Sequence, residues 1–501
     1  MTYLGIDLGT SSVKVVLVDD NGAFINEATQ AYTTQHPSKG AAEQNPTHWW
    51  DGTGRAVQSL PVHLRGRVKG IGLSGQMHGT VCLNSALAVI RPAIIWSDTR
   101  GAGTSAALTD SIGAVALAGN AGTALAPGFQ AVTAAWLRQF EPQTWNQIET
   151  VLLPKDYLQL RLTGVLASEP SDAASTGLLD VTTRAWSDFM IEAVGLRASQ
   201  LAPIHRSAEI VGALTPAAAT HLGLTAGIPV VAGGGDAPLA AVAAGAASGH
   251  SILATLSSGA QVMAFLEAPV VDPGLRVHAF ASPLDPEQGD RGWYVMGATL
   301  VCGMALHWLR TNVYQTGDDQ SVEVMIRNAA HAPVGAGGLI FAPYLLGERT
   351  PHFDSTARAV FVGLSADHDR RHLTRAVLEG AVFAMRDALD IVRGLAPEAD
   401  HVVLAGGGAR SKVWRQIVAD VFDMPVRPSR VVNQSAVGAA ILAASAHLGE
   451  PAGTLAERWA RFDQTVEPIA QNVKRYEALR SIFRDIYPAH AKHFQQLAKL
   501  T

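Results

Sequence analysis

The sequence predicts an α/β protein of two similar domains that face a central cleft, and three observations predict it. At 501 residues the chain exceeds what one core can hold, because single cores stop growing at about 250 to 300 residues. It opens on a run of strands and then alternates strands with helices. A hairpin closed by small residues near the N-terminus recurs where the second half begins.

The elements follow in order. Leu4, Ile6 and Leu8 alternate with smaller or polar residues, and a second run, Val13 to Val18, follows the turn Gly9-Thr10-Ser11-Ser12, which predicts a β-hairpin. Asp19-Asp20-Asn21-Gly22 is a further turn signal and introduces a third strand within Ala23 to Thr34. Asn45 followed by Pro46 reads as an N-cap with proline at the first helical position, so the helix carrying Trp49 and Trp50 starts there. A strand from Arg67 to Leu73 comes next, and Ile94 to Trp96 and Val151 to Leu153 are expected to extend a mixed sheet covered by helices. A Pro/Gly-containing stretch from Leu222 to Val231 leads to Gly233-Gly234-Gly235-Asp236, and a fresh strand begins near Ser251. The expected division is 1–245 and 246–501. In the second half Ile252 to Thr255, the turn Ser257-Ser258-Gly259 and Gln261 to Phe265 repeat the opening hairpin. A helix from Arg371 to Val392, a strand from Val402 to Leu404 and a helix from about Ser411 complete it.

Composition narrows the function classes. Hydrophobic residues make up 48% and charged ones 16%, with no long polar tract, so little disorder is expected. The net charge of −5 comes with scattered basic residues, which gives no footprint for nucleic acid or an anionic membrane surface. The apolar runs are broken by glycine and charge, and the chain enters a strand pattern without a signal-like segment. Cys82 and Cys302 lack ligand-like spacing and read as buried free thiols in a reducing compartment. A cytoplasmic protein is expected.

The candidate chemistry sits at turns. Asp7 ends a strand ahead of Gly9-Thr10-Ser11-Ser12 and Lys14; glycine lets backbone approach, N–H groups and hydroxyls donate to phosphoryl oxygens, and an adjacent Asp can hold hydrated Mg²⁺. The same residues also make an ordinary hairpin rich in Ser and Thr. Gly406-Gly407-Gly408 follows a short apolar strand and precedes a helix, a place where backbone passes close to a nucleotide or simply turns; Asn433 and Gly438 to Ala440 follow as a possible far wall. Ser257-Ser258 would be the opposing phosphate clamp. Asp236 after its glycine triplet is a candidate general base for phosphoryl transfer to an alcohol, or else a turn or capping Asp. Gln76-Met77-His78 and Trp96-Ser97-Asp98 each leave a strand with polar groups beside an apolar face, a mixture that suits a polyol and equally a packed core.

Taken in order, Gly5 to Ser12, Glu43-Gln44-Asn45-Pro46, Gly75 to Gly79, Leu153 to Leu158, Gly233 to Asp236, Gly347 to His352 and Gly406 to Arg410 resemble the FGGY carbohydrate kinases, across the whole chain. The resemblance implies two actin-like (ribonuclease H-like) domains that close on ATP, Mg²⁺ and a sugar, with transfer to the terminal hydroxyl of a ketopentose. It implies Asp236 as the base, Asp7 near the metal, Thr10, Ser11, Ser12 and Lys14 facing the transferring phosphate, and Ser257 and Ser258 opposite. Gln76, Met77, His78, Trp96 and Asp98 would meet the sugar, Gly407 and Gly408 would border the nucleotide, and Asn433 would lie near base or ribose. A homodimer is the family expectation. Two departures stand out: Ala237 follows the base where the family commonly has Asn or Gln, and Leu256 replaces a usual Gly, where a bulky side chain should hinder backbone approach to phosphate. L-ribulose, L-xylulose, a pentitol, gluconate or glycerol are alternative acceptors, and Met77-His78 argues against glycerol. An actin-like ATPase without kinase activity ranks far behind, since both halves are used by the kinase-like core.

Overall fold

The computed structural model describes residues 1–316 and 321–500. The chain divides into two compact units: Met1–Ser248 with Phe265–Tyr294 and Val431–Ala460, and Gly249–Ala264 with Val295–Arg430 and Arg461–Thr501. Among the described residues no helix is long and apolar enough to cross a membrane.

In the first unit the opening hairpin forms as its alternation predicts. Strand Thr2–Leu8 pairs antiparallel with Ser12–Asp19, in register from Thr2 opposite Asp19 to Leu8 opposite Val13, and Phe24–Ala31 adds the third strand. On the other side Val68–Gly75 runs parallel to Thr2–Leu8, followed outward by Pro229–Val231 and Ile210–Ala213, with the two-residue strand Gly234–Gly235 also on Val68–Gly75. Asn45 caps the helix Pro46–Ser59, its side chain accepting the Thr47 N–H at 3.0 Å. The segments at Ala93–Ile94 and Thr150–Leu152 do not extend this sheet. They pair instead with Glu43–Gln44 and Val81–Leu83 in separate two-stranded sheets.

The two faces of the sheet are packed differently, and alternation decides which residue meets which. Leu4, Ile6 and Leu8 join Leu73, Trp49, Val57, Tyr157 and Leu158 in one apolar core. Gly5 and Gly72 stand side by side on neighbouring strands. Against them lies the helix Gln434–Leu448, so close that a Cβ on Gly5 would fall 1.8 Å from the Ala436 carbonyl oxygen and one on Gly72 1.8 Å from that of Ala439. Gly438 on this helix meets Leu239 of the helix Asp236–Ala244 in the same way, at 2.3 Å from its carbonyl oxygen. The small residues at 438–440, expected as a nucleotide wall, are spent on this helix packing.

The second unit repeats the plan. Its strands run in the order Trp293–Thr299, Ala260–Leu266, Ser251–Leu256, His401–Ala405, Val426–Pro428, the hairpin antiparallel and the last two joined in parallel. The long helix Arg370–Leu395 starts at Asp369, whose carboxylate caps the Arg371 and His372 N–H groups. The C-terminal helix Ala470–Ala498 is tied to it by buried polar contacts: Tyr476 Oη donates to Glu379 Oε1 at 2.8 Å, and Arg375 Nη2 donates to Tyr476 Oη at 3.0 Å. Cys82 and Cys302 are buried free thiols, both pushed up to about 12 by desolvation.

Candidate active site

Three neighbouring strands of the first unit deliver chemistry to one edge. Asp7 stands opposite Ser74, and Ser74 opposite Gly234; one residue later Leu8, Gly75 and Gly235 line up in the same way. All three strands run parallel there, so Asp7, Gln76-Met77-His78 and Asp236 emerge together at their C-terminal ends, where α/β sheets collect ligands. Gly235 is needed for that convergence: a Cβ on it would lie 3.0 Å from the Met77 side chain.

The two carboxylates have opposite supports. Asp7 is buried, accepts from Ser74 Oγ at 3.0 Å and faces Lys14 across the hairpin register. Desolvation raises its pKa, and the Ser74 hydrogen bond and the Lys14 charge work against that rise. Asp236 opens the helix Asp236–Ala244 and accepts the Ala237 N–H at 2.7 Å on Oδ1. Desolvation first, and then the charge of Asp7, push it up to about 7. A carboxyl poised there takes a proton efficiently near neutral pH.

The phosphate-type turn is braced by side chains that the sequence did not single out. Gln44 uses its whole amide: Nε2 donates to the Thr10 carbonyl at 2.6 Å and to Thr34 Oγ1 at 2.7 Å, while Oε1 accepts from Trp49 Nε1 at 2.9 Å and Gln76 Nε2 at 3.0 Å. Tyr32 Oη donates to the Gly9 carbonyl. Gln44 lay in a quoted motif, but its role depends on partners far along the chain. Trp96 is 39% exposed and its indole N–H donates to Thr10 Oγ1 at 2.8 Å, which joins the expected sugar face to the turn. Ser11 is exposed and Ser12 half-buried at the turn's end.

Asp98, expected at the sugar, is otherwise engaged. It is buried, with Oδ2 accepting from Ala42 N at 2.8 Å and Oδ1 from Arg100 N at 2.9 Å, and the Arg100 guanidinium bridges it to Glu43. The carboxylate is paired with that arginine inside the loop that carries Trp96. His78 keeps a left-handed backbone, φ 73°, and its ring stacks on Phe129 with centroids 4.2 Å apart. Asn433 belongs to the first unit, at the start of the helix Gln434–Leu448, and its amide donates to Glu27 Oε2.

In the second unit the turn Ser257-Ser258-Gly259 has its carbonyls drawn inward. Cys302 N and Met304 N donate to the Ser258 carbonyl at 2.8 and 3.1 Å, and Gly303 N to that of Ser257 at 2.8 Å. Both serines are exposed. The glycine triplet sits directly on this turn: a Cβ on Gly406 would come within 2.6 Å of the Leu256 carbonyl oxygen and 2.9 Å of Ser257 Oγ. Gly407 is exposed beside them. The Leu256 side chain turns inward, 1% exposed, where the Gly408 backbone closes over it next to Trp414. Gly406 has φ 86°. If the triplet borders a nucleotide, as the sequence suggests, Gly406→Ala should raise KM for ATP about tenfold and leave KM for a sugar acceptor within about twofold; steady-state kinetics with each substrate varied in turn would show it, and an unchanged KM for ATP would remove the triplet from any nucleotide site.

Comparison with known proteins identifies the family. Residues 2–243 match the N-terminal domain of the FGGY family of carbohydrate kinases, and residues 254–447 match its C-terminal domain. The chain is 38% identical over 490 residues to a xylulose kinase of Escherichia coli K12, covering 97% of this chain and 98% of that one. It is 34% identical over 501 residues to a xylulose kinase of Bacillus subtilis 168, covering 99% and 98%. A solved structure of a xyloylose kinase from Brucella ovis superposes with a TM-score of 0.91 at 33% identity, covering 98% of this chain and all of that one. The chain belongs to the FGGY family of carbohydrate kinases, enzymes that phosphorylate sugars at the expense of ATP.

Proposed function

We propose that this chain transfers the γ-phosphate of ATP to the terminal hydroxyl of D-xylulose, giving D-xylulose 5-phosphate, with Asp236 as general base. The observation that carries the reading is the convergence of Asp236, Asp7 and Met77-His78 at one strand edge, with Asp236 pushed up to about 7. The names of the relatives supply the acceptor.

Each residue then has a task. Gln76 Oε1 is buried and has no hydrogen-bond partner among the described residues, so a sugar hydroxyl would satisfy it. His78 meets a second hydroxyl, while Met77 and the exposed face of Trp96 cover the sugar's C–H side. Asp236 accepts the proton of the attacking hydroxyl late in a loose transition state. Thr10, Ser11, Ser12 and Lys14 donate to the transferring phosphoryl group; Ser257 and Ser258 hold the other phosphates, Gly407 and Gly408 let backbone lie close to the nucleotide, and Asn433 serves the base or ribose side. Magnesium prefers oxygen ligands, often one or two carboxylates with the rest water and phosphate. Asp7, at the strand end beside the small-residue turn, is a donor of that kind. When bound, Mg²⁺ neutralises charge on the β- and γ-phosphates. A cytoplasmic setting suits ATP and two thiols that stay unpaired.

The reading is tested by coupled ADP release with Mg²⁺-ATP against D-xylulose, L-xylulose, L-ribulose, D-ribulose, xylitol, D-arabitol, gluconate and glycerol. D-xylulose is expected to give the highest kcat/KM. Because Ala237 offers no amide to a sugar hydroxyl, preference for another acceptor would move the substrate, and no turnover with any would overturn the kinase assignment.

A further inference from the structure

One short helix, Pro170–Ala174, belongs to none of the phosphate or sugar segments and yet holds two of them. Its N-cap is Glu169, fully buried, whose carboxylate accepts the N–H groups of Ser171 and Asp172 at 2.8 and 2.7 Å. The same carboxylate accepts the hydroxyls of Ser171 at 2.9 Å and Ser207 at 2.6 Å. A hydroxyl has one hydrogen, and that of Ser171 is spent on Glu169. Its oxygen is therefore an acceptor, and the Gly235 N–H donates to it at 3.0 Å. Gly235 immediately precedes Asp236.

The far end of the helix grips His78. Ser175 Oγ donates to the Asp172 carbonyl at 2.7 Å, which leaves the oxygen to accept the His78 N–H at 3.1 Å. The Ser175 carbonyl meets His78 Nδ1 at 2.6 Å. A carbonyl only accepts, so Nδ1 carries a hydrogen, and in the neutral form of the ring Nε2 is then the acceptor nitrogen. His78 is the central residue of a three-residue turn, with Gly79 N donating to the Met77 carbonyl at 2.9 Å and φ 73°, and the two bonds to Ser175 hold the ring and backbone of that turn in place.

We infer that Ser171 and Ser175 are positioning residues for phosphoryl transfer: Ser171 sets the Asp236 carboxyl through Gly235, and Ser175 sets the ring and tautomer of His78. One five-residue helix thereby gauges the distance between the base and the sugar. The inference rests on reading Asp236 as the base and His78 as a sugar ligand. Misplacement by a fraction of an ångström at the base lowers turnover, whereas misplacement at the histidine weakens sugar binding.

The test is steady-state kinetics of Ser171→Ala, Ser171→Thr and Ser175→Ala with the best acceptor of the wild-type enzyme, alongside thermal unfolding. Ser171→Ala is expected to lower kcat about tenfold with KM for the sugar within about twofold, and Ser171→Thr, which keeps the hydroxyl, to recover most of the loss. Ser175→Ala is expected to raise KM for the sugar about fivefold with kcat nearly unchanged. A folded Ser171→Ala enzyme with wild-type kcat, or equal losses in the Ala and Thr variants, or the same change of kcat and KM at both serines, overturns the inference. If Ser171→Ala does not fold, nitrogen-15 spectra of His78 in the wild-type protein decide: the Nδ1–H tautomer supports the arrangement and the Nε2–H tautomer overturns it. The proposed function is read separately, from wild-type turnover and its loss in Asp236→Asn; an active wild type with an unaffected Ser171→Ala sinks the positioning role alone.

Discussion

Asp236→Asn should lower sugar phosphorylation about a thousandfold, because a positioned general base contributes on the order of 10² to 10⁴ in rate and the amide cannot take the proton. The variant should still bind ATP, since the nucleotide candidates lie on other strands, and a nucleotide-binding titration would confirm that the loss is chemical. The wild-type pH profile carries the same information. A base held at about 7 is protonated below that value, so kcat/KM should fall about tenfold per pH unit on the acid side and level off above it. Stability should run the other way. Between the ordinary carboxylate range and pH 7 the folded chain keeps a proton that the unfolded chain has lost, so stability falls as pH rises through that window, and above it the folded state bears the full cost of ionisation. Asp236 is partly accessible to solvent, which makes about 4 kcal/mol an upper bound for that cost. Asp236→Asn is thus expected to be more stable than wild type at pH 8 and nearly equal at pH 4, measured by urea unfolding. Loss of activity with no gain in stability at pH 8 would mean that the carboxyl is ordinary in its environment.

Gly72→Ala should be the most damaging small substitution in the first unit. The added methyl would lie 1.8 Å from the Ala439 carbonyl oxygen and 2.5 Å from its carbon, atoms of a helix backbone that has no rotamer to change. The helix Gln434–Leu448 would have to lift off the strands, opening contacts along its alanine face, and overpacking of this kind costs about 3 kcal/mol or more. Gly5→Ala meets the same obstacle at Ala436. A useful comparison is Gly103→Ala, inside the helix Ala102–Ile112, where a Cβ meets nothing within 4 Å and the change should stabilise by about 0.5 to 1 kcal/mol. Equal urea midpoints for Gly72→Ala and wild type would show that the helix does not sit on the glycine pair.

The substitutions at 72 and 236 mark where local and tertiary information part. Hairpins, caps and strand exits rest on neighbours in sequence, and these were legible: the alternation of Leu4, Ile6 and Leu8, the Asn45-Pro46 cap, the repeat of the hairpin at Ser257-Ser258, and the carboxylates at the ends of strands. The short segments near Ile94 and Val151 were legible as extended but not as members of separate small sheets, since partner choice for two or three residues depends on what lies alongside.

Asp98 shows the limit most directly. A carboxylate after Trp96 and before Arg100 reads equally well as a sugar ligand or as half of an ion pair, and only the folded loop brings the Ala42 amide and Glu43 to close the pair. Gln44, Ser171 and Ser175 were invisible for the same reason: each acts through partners distant along the chain, and a polar residue announces its partner only when burial forces one on it. Leu256 points inward through an alternation that was readable, but against a Gly408 whose closeness was not.

By itself, then, the amino-acid order determined the two-part α/β plan and the elements that carry each candidate residue, because periodicity and turn chemistry are local properties; the class of reaction came from the resemblance of its ordered motifs to a known family. Tertiary structure alone decided that residues 431–460 return to the first unit, that Asp7 and Asp236 share an edge where the charge of Asp7 adds to the cost of ionising Asp236, and that Asp98 pairs with Arg100. Charge, desolvation and close packing act through space, and distance in space is what a linear sequence does not contain.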